Sequence, residues 1–152
     1  MTERPPQDGP GRRMSDAEAL MWTLEKEPSL RSTFLGVTIV DRAPDFHRFR
    51  RRMETVVAEH ARLRQRVVPP PARLAPPVWA GDPSFDLEFH VRRLALPAPG
   101  TERQLLDLAA GELEDPFDRA RPLWRYTVVE GLAGGRAALL TKMHHAITDG
   151  VG

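Results

Sequence analysis

The chain has 152 residues, enough for one domain with a real core, and its hydrophobic fraction of 41% and charged fraction of 28% are those of an ordinary globular protein. Twenty-two Lys and Arg against 21 Asp and Glu leave a net charge of +1, which supplies no field to gather a polyanion, so no nucleic-acid partner is expected. Cysteine is absent, which removes disulfides, thiolate metal sites and a Cys nucleophile together, and no run of about 18 apolar residues exists to span a bilayer.

Residues 1–13 are rich in Pro, Gly and charge and lack an apolar signal core, so they read as a flexible N-terminal tail and the protein as cytoplasmic. Ser15 followed by Glu18 is a capping box, and Leu20, Met21 and Leu24 continue it as a helix ending near Pro28. Phe34 to Val40 reads as a buried strand. Asp45 then caps a pattern of Phe46, Phe49, Met53, Val56 or Val57, His60 and Leu63, which predicts a helix of about five turns. On that stripe His60 reads as a satisfied core or boundary residue rather than a ligand. Residues 42–66 carry eight Arg against Asp45, Glu54 and Glu59, a surplus of +5. In an Arg-rich chain this reads first as a solvated helix face; attraction to phosphates or an anionic membrane is the alternative.

Five prolines from Pro69 to Pro77 mark an exposed connection, followed by an edge strand around Val78 and Trp79. Phe85, Leu87, Phe89 and Val91 alternate with polar residues, which predicts a half-buried strand with His90 on its solvent side. Thr101 and Gln104 form a second capping box, opening a helix that stops before Pro116. Trp124–Val129 and Ala137–Met143 read as a hairpin joined through Glu130–Gly135. This order predicts an α/β layered sandwich, with the hairpin in a sheet carrying helices on one face.

The last strand runs into His144, His145, Ala146, Ile147, Thr148, Asp149 and Gly150. Histidine is the side chain best suited to exchange a proton near neutral pH. Period-two alternation sends the two rings to opposite faces, so one can meet a cavity while the other braces the loop. Asp149 can fix that loop, and Gly150 allows a tight turn. Adjacent histidines rarely converge on one ion and no HExxH or Cys spacing is present, so no metal is expected. Ser15, Ser29, Ser32 and Ser84 sit in no GxSxG elbow. A purely structural histidine pair is the remaining alternative.

The segment from His144 to Gly150 resembles the HHxxxDG motif of the coenzyme A-dependent acyltransferase superfamily. Pro116–Leu132 (PFDRARPLWRYTVVEGL), Gly134–Arg136, Thr141–Val151 (TKMHHAITDGV) and Phe85–Gly100 are similar to its bacterial wax ester synthase/diacylglycerol acyltransferase branch. Met14–Trp22 matches that branch imperfectly, with Asp16 and Glu18 where proline and aspartate stand. The resemblance implies most of the N-terminal half of a chloramphenicol acetyltransferase-like fold over residues 14–152, truncated just after the motif and inactive alone. It implies transfer from acyl-CoA, a co-substrate and not a bound cofactor, to diacylglycerol or a long-chain alcohol, without an acyl-enzyme. His145 would be the general base, His144 and Asp149 its structural support and Gly150 a loop residue, with Pro122, Leu123 and Trp124 as core packing; coenzyme A contacts stay unassigned. A peripheral position on the inner membrane or lipid droplets goes with these substrates. A condensation-type amide or ester synthase, a non-catalytic lipid-surface module and an inactive remnant are the alternatives.

Overall fold

The computed structural model describes residues 11–73 and 75–148. In chain order the elements are β1 (Arg12–Arg13), α1 (Asp16–Leu24), β2 (Thr33–Val40), α2 (Phe46–Glu59), β3 (Gln65–Val68), β4 (Val78–Gly81), α3 (Leu87–His90), β5 (Val91–Ala95), α4 (Glu102–Glu114), β6 (Trp124–Leu132), β7 (Arg136–His144) and α5 (His145–Thr148). One sheet has the order β2-β7-β6-β5, antiparallel except for β5, which runs parallel to β6. A smaller antiparallel sheet has the order β1-β4-β3. This is the α/β layered architecture that the element order predicts.

Local chemistry sets most boundaries. Ser15 Oγ accepts from the Glu18 N–H at 3.2 Å while Glu18 accepts from the Ser15 N–H at 2.6 Å, and Thr101 and Gln104 repeat the exchange at α4. Asp45 caps α2 by accepting from Arg48 N–H at 2.9 Å. That helix is shorter than the expected five turns: it ends at Glu59, His60 is extended, and a 3-10 turn over Ala61–Arg64 carries the stripe on to the buried Leu63. His60 is consequently exposed at the helix end rather than in the core.

Four other expectations are corrected. Arg12 and Arg13, assigned to the tail, pair with β4, and Arg12 reaches Glu18 at 2.6 Å. Their pairing makes β4 the centre of its sheet instead of an edge, with Trp79 fully buried. Residues 87–90 form one helical turn rather than a strand, because Asp86 accepts from the Glu88 N–H at 2.9 Å and starts the turn. That turn swings His90 inward, where it is fully buried, stacked 4.5 Å from Trp124 and 5.3 Å from Phe85. Finally, helices cover both faces of the large sheet. Met53 and Val57 of α2 pack with Val91 and Trp124, while Leu105 and Ala109 of α4 pack with Val129, Ala138 and Leu140. Adjacent apolar residues such as Val128 and Val129 point to opposite faces, so each face needs its own cover.

The crossover from β5 to α4 is locked against the β6–β7 hairpin. Gly100 has φ +71 and a Cβ there would lie 1.9 Å from the Gly131 carbonyl oxygen, so only glycine fits. The Gly100 carbonyl accepts from Ala133 N–H at 2.7 Å. This fixes the hairpin whose far end carries the histidines.

Candidate active site

β7 delivers His144 opposite Thr33 of β2, and the chain then turns into α5 at His145. The two rings go to different surroundings, as the strand period predicts. His144 is fully buried and its Nδ1 accepts from the Ala146 N–H at 3.1 Å, which puts the proton of the neutral ring on Nε2. His144 Nε2 lies 3.3 Å from a carboxylate oxygen of Glu25, an ion-pair distance without hydrogen-bond alignment. His145 is exposed, with its ring tilted against Phe34 at 4.7 Å between centroids.

Glu25, just past the end of α1, ties this corner together. Its two oxygens accept from Ser32 N–H at 2.8 Å and Thr33 Oγ1 at 2.6 Å. The Ser32 carbonyl in turn accepts from the His145 N–H at 2.9 Å, and the Leu123 carbonyl accepts from the His144 N–H at 3.1 Å. Both histidines are thus anchored through the main chain to segments that precede them by more than twenty residues in sequence. Burial pushes the His144 pKa below the ordinary 6.5; the Glu25 carboxylate opposes this, and Arg119 and His145 reinforce it. His144 is neutral at pH 7 and suited to brace, while His145 presents an accessible imidazole.

The neighbouring side chains open onto a cavity of about 570 Å³, bordered by Met143, Ile147 and Thr148 on one side and His60, Arg62 and Leu63 on the other. Pro122, Leu123 and Trp124 are buried, and Trp124 Nε1 donates to the Leu63 carbonyl at 2.8 Å, which joins that cavity wall to β6. Asp149 and Gly150 lie outside the described residues. Among the described residues no three His, Asp or Glu side chains converge as a metal set. Sequence reasoning missed Glu25 and Ser32, because their link to the histidines is made by the register of β2 on β7 and has no local signal. It read His60 as a core or boundary residue on the helix stripe, whereas the helix end leaves it exposed on the cavity rim.

The arrangement is an exposed imidazole just past a strand end, with a buried imidazole beside it and a hollow bordered by the neighbouring Met143, Ile147 and Thr148. Comparison with known proteins gives it a family. The model of the wax ester synthase/diacylglycerol acyltransferase catalytic domain matches residues 14–152. A Mycobacterium tuberculosis protein carrying the provisional name diacylglycerol O-acyltransferase is 45% identical over 150 residues, covering 96% of this chain and 30% of the relative. The wax ester synthase/diacylglycerol acyltransferase from Marinobacter aquaeolei superposes with a TM-score of 0.73 at 33% identity, over 91% of this chain and 35% of the other. The starter condensation domain of rhizomide synthetase superposes with a TM-score of 0.72 at 15% identity, which is a likeness of fold. The chain spans about a third of the length of these relatives. It belongs to the wax ester synthase/diacylglycerol acyltransferase family.

Proposed function

We propose that this chain supplies the general base of an acyl-CoA-dependent O-acyltransferase acting on diacylglycerol or a long-chain alcohol. The observation that carries the reading is the asymmetry of the pair: His145 is exposed on a strand end while His144 is buried and neutral behind it. In the reaction, His145 takes the acceptor hydroxyl proton as that oxygen attacks the thioester carbonyl carbon. The resulting tetrahedral oxyanion collapses, the carbon–sulfur bond breaks, and the imidazolium returns its proton to the departing thiolate. Atoms and charge balance without an acyl-enzyme. General-base catalysis of this kind contributes roughly 10² to 10⁴ in rate, and orientation and oxyanion stabilisation supply the rest. Asp149 is proposed to brace the loop after the pair, and Gly150 to let it turn.

The names of the relatives support diacylglycerol as acceptor, and wax ester synthesis in the Marinobacter relative supports a fatty alcohol. Both acceptors reside in lipid, which supports a reaction at a membrane or droplet surface as part of this reading. No helix among the described residues is long and apolar enough to cross a membrane. The test joins residues 1–152 to the remaining length of the 45% identical mycobacterial relative. Acylation of diolein and hexadecanol from palmitoyl-CoA is then measured. His145→Ala is expected to lower turnover by at least about 10² with the circular dichroism spectrum unchanged. Turnover near that of the parent in a folded His145→Ala chimera removes His145 from the chemistry.

A further inference from the structure

We infer that the hollow beside the C-terminal end of α1 is a phosphate subsite, in which Lys26, Arg66 and Arg119 hold a phosphate group of the ligand. The cavity, about 630 Å³, is walled by Trp22, Lys26, Arg66, Val67, Pro69 and Arg119 among others, and no carboxylate lines it. Among the described residues none of these three cations is in an ion pair, whereas eight other arginines have a carboxylate partner. Three cations without an ion-pair partner around one concave surface make a local field that an anion neutralises, with Glu25 acting on Arg119 and with Asp82 and Asp118 bordering the adjacent hollow that Arg66 also lines.

Arg119 is already oriented for this task. Its guanidinium lies 3.4 Å from the centroid of the Trp22 ring, and its Nη2 donates to the Trp22 carbonyl at 3.0 Å. Arg119 Nη1 and Arg66 Nε are buried without hydrogen-bond partners. Burial makes the charged form of Arg119 costly, and the field of Glu25 only partly offsets that. A planar guanidinium held on an aromatic face is suited to paired hydrogen bonds with phosphate oxygens. Three cations match a phosphate better than the single charge of a carboxylate.

Arg119 lies within electrostatic range of the histidine corner: beside burial, its charge helps lower the His144 pKa, and the Glu25 carboxylate opposes the lowering of its own. The inference deepens the acyl-transfer reading and rests on it for the choice of ligand. Coenzyme A is one carrier of phosphate near this site and a phospholipid headgroup is the other.

The experiment is titration calorimetry of the chain at low ionic strength with coenzyme A, with pantetheine and with inorganic phosphate, beside co-sedimentation with phosphatidylglycerol and phosphatidylcholine vesicles. Coenzyme A is expected to bind and phosphate-free pantetheine to fail. Arg66→Gln and Lys26→Gln are each expected to weaken coenzyme A about tenfold, and Arg119→Gln more, since charge-assisted hydrogen bonds are the strong ones. Arg119→Gln also removes the stack on Trp22, so Arg66→Gln and Lys26→Gln keep the result independent of a folding defect. Binding to phosphatidylglycerol but not coenzyme A, lost in Arg66→Gln, supports the subsite and makes the lipid headgroup its ligand. Equal binding of coenzyme A and pantetheine, no binding of any phosphate probe, or unchanged affinity in Arg66→Gln and Lys26→Gln overturns it. These isotherms do not involve His145, so intact coenzyme A binding beside unimpaired turnover in His145→Ala refutes only the general-base reading.

Discussion

Two histidines adjacent in sequence are given different surroundings at one strand end, His144 buried and His145 exposed. The period-two pattern anticipated that the rings would part, although the strand ends at His144, and His145 already opens α5, so the turn out of the strand contributes to the division. Glu25 was not legible: it meets His144 through strand pairing across more than a hundred residues, and no spacing in the sequence announces it. Its carboxylate is the group that raises the His144 pKa against burial. Glu25→Gln removes that charge while an amide oxygen stays available to the Ser32 N–H. The His144 midpoint, followed by NMR titration of its ring resonances, is therefore expected to fall further below that of the parent. In the chimera the variant should also lower turnover, and Glu25→Ala more so because Ser32 and Thr33 lose their acceptor. An unmoved His144 midpoint in Glu25→Gln shows that the carboxylate does not act on this ring.

The helices and the hairpin were readable from local chemistry, because capping boxes and apolar periodicity are short-range signals. Residues 85–91 were misread for a physical reason: one helical turn followed by a strand imitates alternation over seven residues, and only the Asp86 side chain bonding the Glu88 N–H distinguishes them. The role of β4 was equally hidden, since its second neighbour comes from a segment whose composition reads as a tail. Two substitutions separate cap from scaffold. Thr101→Ala leaves the Gln104 N–H of α4 without its side-chain acceptor and is expected to cost about 1 kcal/mol in urea unfolding. Gly100→Ala forces a side chain into a positive-φ position and against the Gly131 carbonyl, and is expected to cost more than about 2 kcal/mol. If Gly100→Ala proves no more destabilising than Thr101→Ala, the crossover is not locked to the hairpin as described.

Stability of the whole molecule should carry a pH signature set by its buried histidines. His90 Nδ1 donates to the Trp124 carbonyl at 2.7 Å, and its Nε2 is buried without a partner. Burial is the main cause that pushes its pKa below 6.5; Arg121 and Arg125 add to this, while the Trp124 carbonyl and Asp82 oppose it. His144 is lowered in the same direction, again chiefly by burial. In the unfolded chain both rings take up protons as pH falls through the ordinary value of 6.5, whereas the folded chain does so only at lower pH. The unfolded state therefore binds more protons in that interval, and stability rises with pH there. The contribution is fully present above pH 6.5 and is lost on acidification toward the lowered folded values. Urea midpoints measured from pH 8 to pH 5.5 should fall on the acid side, with a limiting slope of about 1.4 kcal/mol per pH unit for each histidine. His90→Asn is expected to lower stability at every pH, because it breaks the stack between Phe85 and Trp124, and to remove one of the two slopes. A His90→Asn protein with the full acid slope of the parent shows that His90 is not held neutral by the fold.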